Sequence, residues 1–164
     1  MYDFAWIDDF AAARNASFQY ATKRYIMWLD SDDILKPEER DKLEQLKATL
    51  GEDVDAVSMK YEIPQDDSGR IVSHTTRLRL VKRDKGFRWK GVVHEDLSLD
   101  GPYRYLKSDI TVTHTKTGNA PGTPPSRRNL EIYERHLANG RELSVSDMFH
   151  YARECNVPLA LQRS

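Results

Sequence analysis

Cysteine is nearly absent from this 164-residue chain. Cys155 stands alone, which excludes an internal disulfide and any cysteine-rich metal centre. Long apolar runs are missing too: nothing approaches the ~18 consecutive apolar residues that span a bilayer as a helix. An excess of charge of either sign is also lacking. The 25 Lys and Arg stand against 26 Asp and Glu, a net charge of -1, so no electrostatic case exists for nucleic acid or an anionic membrane as partner. The opening residues, MYDFAWIDDF, are acidic and aromatic, unlike a secretory leader. Together with the lone cysteine they set the expectation of a cytoplasmic setting.

What is present is the composition of a globular domain, 39% hydrophobic and 31% charged. The length suits one domain, or one with a small appendage. After Asp8 and Asp9, the alanine-rich FAAARNASFQYATK, with Phe10, Ala13, Ser17 and Ala21 in helical spacing, predicts a helix capped by an aspartate. YIMWL (25–29) reads as a strand covered on both faces. KPEERDKLEQLKATLG reads as a helix with Pro37 in its first turn, Leu43, Leu46 and Leu50 as its apolar stripe, and Gly51 at its end. Residues 56–83 alternate on either side of PQDDSGR, which predicts an antiparallel hairpin with Val57, Met59, Tyr61 and Ile63 on one face. SDITVTHT is a further short strand. Residues 117–126 hold three of the seven prolines and read as a loop or linker. Two helices close the chain. The first has Ser126 as cap, Leu130, Tyr133 and Leu137 buried, and Gly140 as its stop. The second carries a Ser144/Asp147 capping pattern and buries Met148, Tyr151, Ala152 and Cys155.

The stretch YIMWLDSDDIL raises the chemical question. Asp30, Asp32 and Asp33 crowd together where the strand ends, and clustered carboxylates repel. An aspartate pair at i, i+2 leaving a strand can hold one hard cation such as Mg²⁺ or Mn²⁺, and ligands collect at the carboxyl ends of strands in open α/β sheets. A solvated acidic turn, with Asp33 as a helix cap, accounts for the same residues. In WKGVVHEDL, the run His94, Glu95, Asp96 suits either a strand end that delivers a general base or an ordinary polar turn. His114, on the last apparent strand, reads as a hydrogen-bonded strand histidine unless it faces the aspartates. Arg14–Asn15 within a helix reads as surface. Arg127 and Arg128 read as a phosphate clamp or as a solvated helix start. No H-E-x-x-H is present, which sets zinc-protease chemistry aside.

Taken in order, these segments resemble family 2 glycosyltransferases. Residues 8–35, DDFAAARNASFQYATKRYIMWLDSDDIL, are similar to that family's ARN helix and the buried strand ending in D-x-D. FRWKGVVHEDL resembles its later G-x-V-H-E segment, and ITVTHT followed by RRN (127–129) resembles a common family ending. The resemblance implies an α/β fold, a partial GT-A-like (Rossmann-like) mixed sheet with flanking helices and a C-terminal helical hairpin. Residues 1–116 would be a truncated catalytic domain, 117–126 a linker and 127–164 the helical segment. Family members normally place about three strand-helix units before the ARN helix, so the resemblance also implies that the usual N-terminal nucleotide-binding half is lacking.

The activity implied is inverting transfer of a sugar from a nucleotide-diphosphate sugar to an acceptor hydroxyl, on a glycan, protein or lipid, with Mg²⁺ or Mn²⁺. By this resemblance Asp30, Asp32 and His114 are metal ligands, Asp30 also meeting the donor. Glu95 is the base and Asp96 its reserve. Arg14, Arg79 and Arg128 meet the diphosphate, and Trp89 stacks on a sugar. A truncated sheet exposes an edge strand, which leads us to expect self-association, a partner that completes the sheet, or a rearranged fold. The rival expectation is an inactive module that binds a partner protein.

Overall fold

A computed structural model describes residues 2–64, 71–115 and 127–156. The strands are β1 (Tyr25–Met27), β2 (Asp33–Ile34), β3 (Ala56–Pro64), β4 (Ile71–Lys82), β5 (Arg88–Lys90), β6 (Asp96–Ser98) and β7 (Tyr105–His114). The helices are α1 (Phe10–Gln19), α2 (Pro37–Thr49), α3 (Arg128–Ala138) and α4 (Val145–Cys155). The expected turn at 65–70, the Pro/Gly stretch at 117–126 and the cap at Ser126 lie outside the described residues. The chain divides into two compact units, one of Thr22–Phe87 with Leu99–Asn119, the other of Met1–Ala21, Arg88–Ser98 and Ala120–Ser164.

The first of these units is a five-stranded mixed sheet in the order β1-β4-β3-β7-β2. Alternation in β3 puts Val57, Met59 and Tyr61 on one face, where they join Leu80, Ile110 and Val112; Leu43, Leu46 and Leu50 of α2 pack against that face with Ile63. These leucines are partly buried, Leu50 just past the end of α2, and the apolar area they remove from water is what ties the otherwise polar helix to the sheet. Glu39 adds a directional tie: its Oε2 accepts the Thr111 N–H at 2.6 Å, and Lys42 pairs with Oε1 at 3.0 Å. β3 and β4 form the expected antiparallel hairpin. β7 runs parallel to β3 and antiparallel to β2, with Asp33 opposite His114. This mixed sheet with its helices is a partial GT-A-like fold.

Two local readings are corrected. YIMWL does not form a strand covered on both faces: β1 is three residues long, half-buried, and pairs with β4 alone at one end of the sheet among the described residues. Only Trp28 of its flank is buried, while Leu29 is exposed. Tyr25 and Met27 pack as partly buried residues against the cluster of Val57, Met59 and Val112, while Trp28 meets Arg79. Asp33 does not cap α2, since Lys36 occupies that position without a side-chain bond.

In the second unit, Asp9 caps α1 by accepting the Ala12 N–H at 2.8 Å. The helix buries Ala11 and Phe18. β5 and β6 form a small antiparallel hairpin, pairing Trp89 with Leu97. Gly140, at φ +70°, follows α3 and ends it as expected, because a left-handed residue is cheapest as glycine. Helix α3 buries Leu130, Ile132, Tyr133 and His136, whereas Leu137 is exposed. Helix α4 has the expected Ser144 cap, which accepts the Asp147 N–H at 3.1 Å. It nevertheless exposes Met148, Ala152 and Cys155, and only Tyr151 of the expected stripe packs, against the cluster of Val93, Ile132 and Tyr133.

Candidate active site

The carboxyl end of β1 leads into a tight turn. Asp33 N–H donates to the Asp30 carbonyl at 3.0 Å, and Asp33 Oδ2 accepts the Asp30 N–H at 3.1 Å. Short side chains that bond their own backbone favour such turns. Thr115 fastens the turn to the end of β7: both its N–H and its hydroxyl donate to the Asp32 carbonyl, each at 2.6 Å. The β2–β7 pairing then sets His114 beside the acids. His114 Nδ1 lies 3.6 Å from Asp32 Oδ1 and 3.7 Å from Asp33 Oδ1. Ligand atoms of Asp32, Asp33 and His114 all fall within 4.8 Å of one another. Opposite ligands of one Mg²⁺-sized cation stand about 4.2 Å apart, so a sub-ångström closure suffices.

Behind this group is a buried cation. Arg79 has no exposed surface; its Nη1 is 2.7 Å from Asp33 Oδ2. The guanidinium carbon lies 3.9 Å from the centre of the Trp28 ring and 4.6 Å from that of Tyr61. Trp28 is itself fixed by donating its indole N–H to the Leu78 carbonyl at 2.7 Å. Burial pulls the Arg79 pKa down while the Asp33 charge opposes the change; guanidinium keeps its proton in proteins. Tyr61 has its hydroxyl 3.2 Å from His114 Nδ1. Burial first, then Asp33 beside it, pushes that hydroxyl up to about 12.

The other unit carries the His-Glu segment. Gly91 adopts φ +100°, and an added Cβ would meet Glu95 Cα at 3.4 Å and Asp147 Oδ1 at 3.5 Å. Glycine is required there by both backbone and space. Side chains of the terminal helices then take hold of three successive residues. Val92 N–H donates to Asp147 Oδ1 at 3.0 Å, Tyr133 donates to the Val93 carbonyl at 3.1 Å, and His94 Nε2 meets Glu154 at 2.8 Å. Asn129 also donates to Glu154, at 3.2 Å. Glu95 pairs with Arg14 Nε at 2.5 Å, and the Arg14 guanidinium carbon lies 4.7 Å from the centre of the Trp89 ring. Asn15 binds the Trp89 backbone twice, donating to its carbonyl and accepting its N–H, both at 2.9 Å.

The structure therefore brings together Asp32, Asp33 and His114, with Asp30 joined to them through the turn. It pairs Glu95 with Arg14, exposes Asp96 on β6 and buries Trp89 to 4% exposure against Phe18. Arg128 lies over Phe10 at 5.0 Å. Arg79, expected to face a diphosphate, is instead wholly enclosed and turned to Asp33.

The family model for glycosyl transferase family 2 matches residues 4–109, well over half of the chain. The chain belongs to glycosyl transferase family 2. Among curated proteins it is 28% identical over 158 residues to the SPbeta prophage-derived glycosyltransferase SunS of Bacillus subtilis (strain 168), and equally to glycosyltransferase SunS of Bacillus phage SPbeta. Each alignment covers 93% of this chain but 36% of the relative, so the chain spans about a third of the length of these relatives. No helix among the described residues is long and apolar enough to cross a membrane.

Several residues of this family 2 chain take roles that the sequence did not signal. Asp33 reads locally as a cap. Trp28 and Tyr61 read as core, and their grip on Arg79 depends on segments distant in the chain. Asp147 was legible only as a capping residue, yet its second oxygen holds Val92.

Proposed function

We propose that this chain contributes the cation and acceptor-base residues of a glycosyltransferase that moves a sugar from a nucleotide-diphosphate donor to an acceptor hydroxyl with inversion. The observation that carries the reading is the Asp32–Asp33–His114 group at the exit of β1, in a chain of this family. Asp33 Oδ1 is buried without a hydrogen-bond partner, as a carboxylate oxygen awaiting a cation would be. Carboxylates with one imidazole suit Mn²⁺, and the carboxylates alone suit Mg²⁺. Such an ion, held by Asp32, Asp33 and His114, supplies charge neutralisation for a leaving diphosphate. Asp30, at the mouth of the turn, is assigned to the donor's ribose or the ion.

Glu95 is assigned the acceptor proton. Its pairing with Arg14 fixes the carboxylate in one orientation while leaving the second oxygen for the acceptor, and a bound base within about 3 Å of the hydroxyl contributes ~10²–10⁴-fold. Asp96 is the reserve. Trp89 supports Arg14 from beneath, and Arg128 remains a candidate for the diphosphate.

Calorimetric titration of UDP into the chain, with and without Mn²⁺, tests the reading. Binding that requires Mn²⁺ and disappears in Asp32→Ala is the expected result. Metal-independent binding would overturn the cation assignment, and no binding with any nucleoside diphosphate at millimolar concentration would leave a fragment or a partner-binding remnant.

A further inference from the structure

We infer that Arg79 is a positioning residue of the cation group: by taking one oxygen of Asp33 it aims the other at His114 and Asp32. This deepens the cation reading above and rests on it. Asp33 Oδ2 is engaged twice, by Arg79 Nη1 at 2.7 Å and by the Asp30 N–H at 3.1 Å. Oδ1 has no hydrogen-bond partner, is fully buried and lies 3.7 Å from His114 Nδ1. Rotating this carboxylate would break both the ion pair with Arg79 and the hydrogen bond from the Asp30 N–H, so the other oxygen stays presented.

The cost of the arrangement argues that it does more than hold the fold together. The Arg79 nitrogens Nε, Nη1 and Nη2 are all buried without a hydrogen-bond partner, Nη1 keeping only its ion pair with Asp33, and a buried charged donor left in that state is destabilising. Replacing a buried ion pair by apolar residues is often neutral or stabilising, so packing alone would be served better by a hydrophobic pair. The faces of Trp28 and Tyr61, 3.9 and 4.6 Å away, compensate partly through cation–π attraction. They also fix the plane of the guanidinium, and with it the direction of the bond to Asp33. Partners of this kind behind a metal ligand typically change affinity 10- to 100-fold when removed.

The test is Mn²⁺ titration calorimetry on the whole chain, comparing wild type with Arg79→Met, Asp33→Asn, the double variant and Arg79→Lys. Arg79→Met is expected to weaken Mn²⁺ binding on the order of tenfold or more. The double variant is expected to bind no more weakly than Asp33→Asn, because Arg79 acts only through Asp33. Unchanged affinity in Arg79→Met, or a loss that adds to that of Asp33→Asn, overturns the inference; a residue with a purely structural role would give one or the other. Should Arg79→Met fail to fold, the double variant leaves no buried charge and Arg79→Lys keeps one. Lysine cannot be clasped flat between two rings, so several-fold weaker binding is expected, and wild-type affinity in Arg79→Lys overturns the proposal. Wild-type protein that binds no Mn²⁺ removes the cation reading itself, and the role of Arg79 with it, whereas normal wild-type binding with an unaffected Arg79→Met removes only the latter.

Discussion

Glu154 shows how one side chain ties the His-Glu segment to a helix. Burial raises its pKa, but hydrogen bonds from His94 and Asn129 outweigh this and leave it lowered. A carboxyl that holds its proton less firmly when folded adds stability above its unfolded pKa and loses it as pH falls through the folded value. Wild-type protein should therefore lose stability on acidification between roughly pH 5 and 3, with Glu154→Gln showing a flatter decline. Thermal melts across that range would check it; parallel curves would mean that Glu154 is not engaged in solution. His150, stacked 4.6 Å from His94, is shifted down by burial and by the His94 charge, so proton uptake by His150 is opposed rather than helped.

At the scale of elements, sequence and structure agree where the causes are local. Asp9 and Ser144 cap helices because their side chains reach backbone N–H groups two or three residues on, and Pro37 begins α2 because its φ suits the first turn. Replacing Ser144 by alanine should cost ~1 kcal/mol, read as a lower denaturation midpoint with an unchanged slope. The effect should exceed that of an ordinary surface serine, since Ser144 Oγ also donates to Asp147 Oδ2 at 2.6 Å and Asp147 holds Val92. Elements failed to match where the deciding partner is remote. β1 is short and marginal despite its apolar run, and α4 exposes Met148 and Cys155 despite their helical spacing.

At the scale of the whole molecule, the division into two units does not follow chain order. Helices α3 and α4 share a unit with α1 and the β5–β6 hairpin, and Tyr133 with Ile132 forms a cluster with Val93. A chain ending at residue 126 should therefore unfold more than its missing helices: α1 and residues 88–98 should lose hydrogen-exchange protection, while β3 and β4 keep theirs. Retained protection in α1 would mean that this segment is stable without the hairpin.

The sequence by itself determined whatever depends on near neighbours: both N-caps, the α2 leucine stripe, the β3–β4 alternation, and the acids gathered at the exit of β1. It also carried, through the order of four motifs, the family to which the chain belongs. Tertiary structure alone decided the pairings. Asp33 joins Asp32 and His114 because β2 pairs with β7 some eighty residues later in the chain. Arg79 turns inward because Trp28, just past the end of β1, and Tyr61, on β3, enclose it. Asn15, which looks like surface in its helix, binds Trp89 across 74 residues. Contacts of this separation leave no periodic trace, since each depends on where the chain returns rather than on what stands three or four residues away.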